Sequence, residues 1–261
     1  KNKKFYEISS INPSRNHNYL AYGEDINGRR EFSIVVKDVS KNINIEKNSC
    51  SSTGRVIWNK NSNGYFYLKK NPKTLIANTL FFHKLGTDPK KDRLVYKEKD
   101  KEFNLSISLS RTKKYLFLEI SKTESNETWF LDLDEENIHI RCFLKRKNNH
   151  LYYIDDTPEN FFILSNRDNK KNFALYKTSF NKLTLRYWIE VIPHNKNELI
   201  EDFLCFKDFI ILGIRKNGLS QLVQVSKKSK KKIYIKFKDE AHTVKLSHNN
   251  SYDSKNLSFV Y

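Results

Sequence analysis

Asn61-Ser62-Asn63-Gly64 followed by Tyr65-Phe66-Tyr67-Leu68 is a polar turn running straight into four large apolar residues. A run this short and this continuous suits a strand buried on both faces, since aromatic side chains favour strands and the turn residues bound it. The same pattern returns along the chain at Tyr19-Leu20-Ala21-Tyr22, Tyr115-Leu116-Phe117-Leu118, Phe161-Phe162-Ile163-Leu164, Phe209-Ile210-Ile211-Leu212 and Leu257-Ser258-Phe259-Val260. The first residues of the six runs are 46, 50, 46, 48 and 48 positions apart. So regular a return defines an internal repeat.

Each strong run is followed at a steady offset by a second one, starting at Phe32, Leu80, Trp129, Phe173 and Leu222. Further strand-like stretches close the units, at Arg93 to Glu98, Ile140 to Leu144, Trp188 to Ile192 and Ile233 to Phe237. Shorter runs open them, such as Val56-Ile57-Trp58 and Leu105-Ser106-Ile107-Ser108. Four short strands in a repeat of this length are the signature of propeller blades. Helical solenoids would show a 3.6-residue period instead. The predicted fold is therefore all-β, an incomplete β-propeller over residues 1–261 with about five four-stranded blades and the start of a sixth. The strong run is expected to be the central strand of each blade.

Composition agrees and narrows the function. Hydrophobic residues at 38% can supply a core, and 14 Tyr with 18 Phe make it aromatic, while 7 Gly and 5 Pro exclude a Gly/Pro-rich disordered chain. The formal charge of +18 suggests a nucleic-acid or anionic-membrane partner on one reading. On the other, it reflects lysines spread over solvated faces. The one dense run, Lys227, Lys228, Lys230, Lys231 and Lys232, lies between two apolar stretches and suits an exposed hairpin loop. Cys50, Cys142 and Cys205 are odd in number and far apart, so neither a zinc site nor a disulfide framework is expected. Reduced thiols, no bilayer-length apolar run and no signal peptide point to the cytoplasm, without a membrane partner. The absence of methionine makes Lys1 an improbable start, and the chain ends on a strand-like run, so a fragment of a longer chain is expected.

Catalytic motifs are not expected. Gly218-Leu219-Ser220-Gln221-Leu222 has half of a Gly-x-Ser-x-Gly elbow, and its leucine enters a strand, so it reads as a turn. There is no phosphate-cradling Gly-rich loop, and the histidines lack metal-pair spacing; His83, His139 and His242 fall in or beside strands as structural residues. No metal and no cofactor is expected. Glu24-Asp25 and Asp155-Asp156 sit at turns, where carboxylates cap backbone groups. Arg29-Arg30, in a loop between two strands of the first blade, is the more promising pair, because adjacent arginines can take carboxylates bidentately.

Several stretches resemble a known family. Tyr22-Gly23-Glu24-Asp25 followed by Arg29-Arg30-Glu31-Phe32 is similar to the first propeller blade of the oligopeptidase B (protease II) branch of the prolyl oligopeptidase family. The longest match runs through Val56-Ile57-Trp58, Tyr65-Phe66-Tyr67, Thr79 to Thr87 and Asp92 to Asp100, and Ser165-Asn166-Arg167 with Lys171 to Tyr176 is also similar. The resemblance implies the N-terminal propeller of a serine endopeptidase that cleaves short peptides after Lys or Arg. In that family a seven-bladed propeller caps an α/β-hydrolase domain that carries the triad and the acidic specificity pocket, and no counterpart of that domain is present in these residues. The implied partners are such a hydrolase domain, in cis or as a separate chain, and short basic peptides. Arg29 and Arg30 match the family's propeller arginine pair, implicated in substrate handling near the domain interface. The implied role is peptide gating without catalysis. The alternatives are a stand-alone basic propeller that binds protein or nucleic acid, with nucleic acid the less expected partner, and an inactive remnant of a split peptidase gene. Unpartnered blade faces would make the chain alone marginally stable or self-associating.

Overall fold

A computed structural model describes residues 4–247, 249 and 251–261. Lys1, on which the expectation of a truncated start rests, lies outside the described residues. The described residues form twenty-one strands and two 3-10 turns, Pro89–Lys91 and Leu185–Tyr187. They divide into two compact units. The first comprises Lys1–Leu109, Lys113–Thr123 and Glu127–Phe143, the second Ser110–Thr112, Glu124–Asn126 and Leu144–Tyr261.

Every sheet is antiparallel and built from strands consecutive in sequence. The first blade is β1 (Glu7–Pro13), β2 (Tyr19–Asp25), β3 (Phe32–Asp38) and the start of β4 (Ile43–Trp58). The end of β4 opens the second blade, with β5 (Gly64–Lys70), β6 (Ala77–Lys84) and β7 (Arg93–Lys97). A third blade contains β8 (Asn104–Leu109), β9 (Tyr115–Lys122), β10 (Ser125–Asp132) and β11 (Arg141–Leu144). The fourth is β12 (Tyr152–Asp156), β13 (Phe161–Ser165), β14 (Ala174–Thr178) and β15 (Ile189–Ile192). The fifth is β16 (Leu199–Cys205), β17 (Phe209–Lys216), β18 (Leu219–Ser226) and β19 (Lys232–Tyr234). β20 (Lys245–Leu246) and β21 (Phe259–Val260) pair as the start of a sixth. The repeat read from the sequence is thus five four-stranded blades and a beginning.

The shared strand β4 departs from the expected four separate strands per unit. Its first half pairs with β3, Val36 opposite Glu46, and its last residues pair with β5, Trp58 opposite Tyr65. The register breaks between Ser52 and Val56, around Gly54 at φ +84°. A Cβ on Gly23 would stand 2.5 Å from the Gly54 Cα, so the two backbones touch where only glycine fits.

β5 shows why its run is continuously apolar. Tyr65 and Tyr67 join one core with Ala21, Ile34, Val56 and Trp58, while Phe66 and Leu68 point the other way into a core with Ile57, Leu80, Leu105, Leu116 and Leu118. Alternate residues fill opposite faces, and both faces are dry. Each such side chain contributes about 1.5–3 kcal/mol by leaving water. In the second unit, Phe162, Leu164 and Leu175 of the fourth blade pack with Phe203, Ile210, Leu212 and Ile214 of the fifth. β2 differs: Ala21, Gly23 and Asp25 are buried, whereas Leu20, Tyr22 and Glu24 are half-buried, so the first blade's central strand is dry on one face only. The closing strand of the fifth blade is also shorter than expected. Ile235 and Phe237 lie beyond β19 and pack instead beside Phe206, Ile211, Leu222 and Val244.

Candidate functional site

The Arg29-Arg30 loop, residues 26–31, joins β2 to β3, and its shape is set by one carboxylate. Asp25, at the end of β2 and 1% exposed, accepts the backbone N–H groups of Asn27 at 2.8 Å, Gly28 at 3.0 Å and Arg30 at 2.7 Å. Burial pushes the Asp25 carboxyl up, but these amide donors outweigh it and hold it below the usual carboxylate value. A carboxylate that satisfies several turn amides at once fixes the loop backbone. Gly28 takes φ +72° and Arg30 φ +56°, the latter uncommon for a side chain of its size. The Arg30 carbonyl accepts the Lys70 ammonium from β5.

The two arginines meet different fates. Arg29 reaches Glu31 at 3.2 Å, and Glu31 also accepts the Ser51 hydroxyl at 2.7 Å. Arg30 is exposed, its backbone is pinned from two sides, and its guanidinium makes no ion pair among the described residues. Lys70 lies 5.8 Å from the Phe32 ring centroid. Burial pulls the Lys70 ammonium down; Glu31 opposes that, and the Arg30 charge adds to it. Arg30 and Lys70 therefore place two cationic groups at a fixed loop, a donor set whose chemistry matches a carboxylate.

A second polar cluster in this unit was not singled out by sequence reasoning. His83 on β6 is fully buried, with Nδ1 2.6 Å from Asp92 and Nε2 2.9 Å from Glu46. Tyr67 donates to Asp92 at 2.8 Å, Tyr65 to Glu46 at 3.2 Å, and the Gly86 amide to Glu46 at 3.0 Å. Burial lowers the His83 pKa, but the two carboxylates outweigh it and raise it above the ordinary value. His83 is structural, as expected, and its partners are a clamp of opposite charge. The only signal was a buried histidine in a strand; Glu46 and Asp92 are too distant in sequence to be read as its partners.

The Asp155-Asp156 pair in the second unit lies at the end of β12 and, instead of capping its own turn at Thr157-Pro158 as its position suggested, caps the distant turn at residues 110–112. Asp156 accepts the Thr112 amide at 2.9 Å, the Ser110 hydroxyl at 3.1 Å and the Thr112 hydroxyl. Asp155 accepts the Arg111 amide at 2.9 Å. The Arg111 guanidinium turns elsewhere, to the carbonyls of Asn249 at 2.7 Å and Ser251 at 3.1 Å, over the Phe206 ring. Burial, aided by the Asp156 charge, pushes Asp155 up to about 7. Ser220 is buried in β18, where its hydroxyl accepts the Val244 amide at 2.8 Å, and Asn217 and Gly218 form the turn before it. Among the described residues no group of three His, Cys, Asp or Glu could hold a metal ion, and no helix is long and apolar enough to cross a membrane.

Consecutive antiparallel blades with an arginine-bearing loop define a propeller module. The chain belongs to the prolyl oligopeptidase family: the model of that family's N-terminal β-propeller domain matches residues 1–261. It is 26% identical over 259 residues to dipeptidyl aminopeptidase BI of Pseudoxanthomonas mexicana, covering 99% of this chain and 36% of that protein. It is 25% identical to protease 2 of Moraxella lacunata over 94% of this chain and 35% of that one. The fold superposes on oligopeptidase B from Leishmania major with a TM-score of 0.91 at 19% identity, over 98% of this chain and 37% of the other. The chain thus spans about a third of the length of the curated relatives it matches.

Proposed function

We propose that residues 1–261 are a partial propeller domain that gates peptides for an oligopeptidase B-like serine endopeptidase and cleaves no bond itself. Its partner is an α/β-hydrolase domain, in cis or on a separate chain, and the substrates are short peptides cut after Lys or Arg. The relatives' names support the peptidase class. The observation that carries the gating role is the Arg30 loop. Its backbone is fixed by Asp25 and Lys70, while its guanidinium is left open to solvent. A preformed cation of this kind costs little ordering when a peptide or domain carboxylate arrives. Arg29 supports the loop through Glu31.

The purified chain is assayed with a short peptide containing Lys and Arg, for cleavage and for binding by calorimetry. The expected result is no turnover, with binding weakened about tenfold by Arg30→Ala. Turnover that stays with the protein through purification would break the non-catalytic reading. Equal binding by the parent chain and the variant would remove Arg30 from the site.

A further inference from the structure

The dense lysine run was read as a solvated hairpin loop. It fills the turn between β18 and β19 and enters β19 at Lys232, and Lys228, Lys230, Lys231 and Lys232 are exposed. Lys227 is not. It is half-buried, with its ammonium 5.6 Å from the Phe162 ring centroid and 5.1 Å from that of Tyr252. Burial pulls the Lys227 ammonium down. A cation is held over an apolar floor here, inside the second unit.

That floor continues across the fourth blade. Phe162 stands opposite Lys177, and Lys177 opposite Ile189, so the three form one cross-strand row ending at the edge strand β15. Two cavities of about 360 and 390 Å³ open along this row and share Asn160, Lys177 and Ile189. Lys227 and Lys230 line the first, Lys182 and Arg186 the second. Of the two carboxylates at the rim, Glu190 is already paired with Lys170. β15 has a neighbour in its sheet on one side only, and Ile189 is 61% exposed at that edge.

We infer that the β15 edge and its two cavities are a docking site for an extended acidic segment of a partner protein. An edge strand offers main-chain groups to an added strand, whose alternate side chains would enter the two cavities. Lys177, Lys182, Arg186 and Lys230 then receive its carboxylates, and Phe162, Ile189 and Val191 its apolar side chains. Nucleic acid fits less well. The exposed aromatic at the site, Tyr187, has Arg186 at 4.7 Å and Lys182 at 5.4 Å from its ring centroid, leaving little face for a base. This site is independent of the Arg30 loop, which belongs to the other unit.

The test is fluorescence anisotropy on the whole chain, with a labelled peptide of alternating glutamate and valine, roughly eight residues long to match a strand and its flanks. A single-stranded oligonucleotide of equal charge is the competitor. The acidic peptide should bind, lose affinity with rising salt, and weaken about tenfold or more in Lys177→Glu/Lys182→Glu. Lys99→Glu/Lys101→Glu, an equal charge change on an exposed turn of the first unit, should leave binding unchanged. Lys177 is half-buried, so Arg186→Glu on the exposed turn is run in parallel, with a melting curve for each variant. The site is overturned if peptide binding is undetectable, if Arg186→Glu binds as the parent does, if the control pair weakens binding equally, or if the oligonucleotide binds more tightly than the peptide.

Discussion

Each unit buries a cluster of ionisable groups, and the two solve the problem in opposite ways. In the first, His83 sits between Glu46 and Asp92, so a buried cation is balanced on both sides and two tyrosines satisfy the remaining acceptors. In the second, Asp155 and Asp156 are neighbours of like charge, and the nearby Arg111 spends its guanidinium on backbone carbonyls. The first cluster lowers its cost by pairing, the second by staying partly protonated: Asp155 is pushed up to about 7 and Asp156 is raised as well. Charge in a dry blade is thus tolerated either with a counter-charge or without ionisation.

The contrast is broken most severely at His83. His83→Ala would leave the buried Asp92 carboxylate and the half-buried Glu46 without their cation, and breaking a buried pair in this way costs about 3–5 kcal/mol. Urea unfolding should show that loss. A cost under about 1 kcal/mol would mean the clamp contributes little beyond an ordinary surface pair. Asp156→Ala strands the Ser110 hydroxyl and the Thr112 amide and hydroxyl, so a smaller loss of about 1–3 kcal/mol is expected in the same measurement.

The pH dependence separates the clusters further. His83 has a folded pKa above its ordinary 6.5, so its stabilisation is complete below about 6.5 and is lost as pH rises through the folded value. Asp155 rises from 3.8 to about 7. Between those values the unfolded chain has released a proton that the fold retains, so stability again falls as pH rises, and levels off above about 7. Subtracting the profile of Asp155→Asn from that of the parent should leave a slope confined to roughly pH 4–7. The corresponding difference for His83→Gln should fall with pH above about 6.5 and rise with pH in the acid range, where Glu46 loses the histidine that helps hold its carboxyl down. Differences are needed because Asp25 and Glu46 are shifted downward and make stability rise with pH in the acid range, below about 4.5.

These two clusters also show what the sequence could and could not reveal. Turn chemistry was legible at Asp25, which caps the amides of its own loop, but not at Asp155 and Asp156, whose partners at residues 110–112 are distant in sequence. The repeat was legible because β5, β9, β13 and β17 are short local runs whose burial on two faces forces continuous hydrophobicity. The His83 clamp was not legible, because its three members lie on β4, on β6 and just before β7 and meet only once the sheet has formed. The fused strand β4 was missed because Gly54 resembles a turn residue in sequence, whereas it makes a bulge that carries one strand across two blades. The basic groove was missed because Lys177, Arg186 and Lys227 belong to separate local patterns and converge only across the fourth and fifth blades.

The smallest stability effect should fall on the residues singled out for function. Arg29 and Arg30 are exposed, and Arg29–Glu31 is a surface ion pair with the arginine side chain 66% exposed. Pairs of that kind contribute about 0–1 kcal/mol, and substitutions away from buried features change stability by about 0.5 kcal/mol. Arg30→Ala should therefore unfold at nearly the parent's urea midpoint. Arg30→Gly should unfold slightly higher, because glycine takes φ +56° without the cost a side chain carries. Asp25→Ala should cost more than either, since it releases three loop amides from one buried acceptor. If Arg30→Ala proved as damaging as Asp25→Ala, the arginine would be a structural part of the loop. If Arg30→Gly were stabilising while peptide binding fell, the left-handed backbone would be strain retained for the guanidinium it positions.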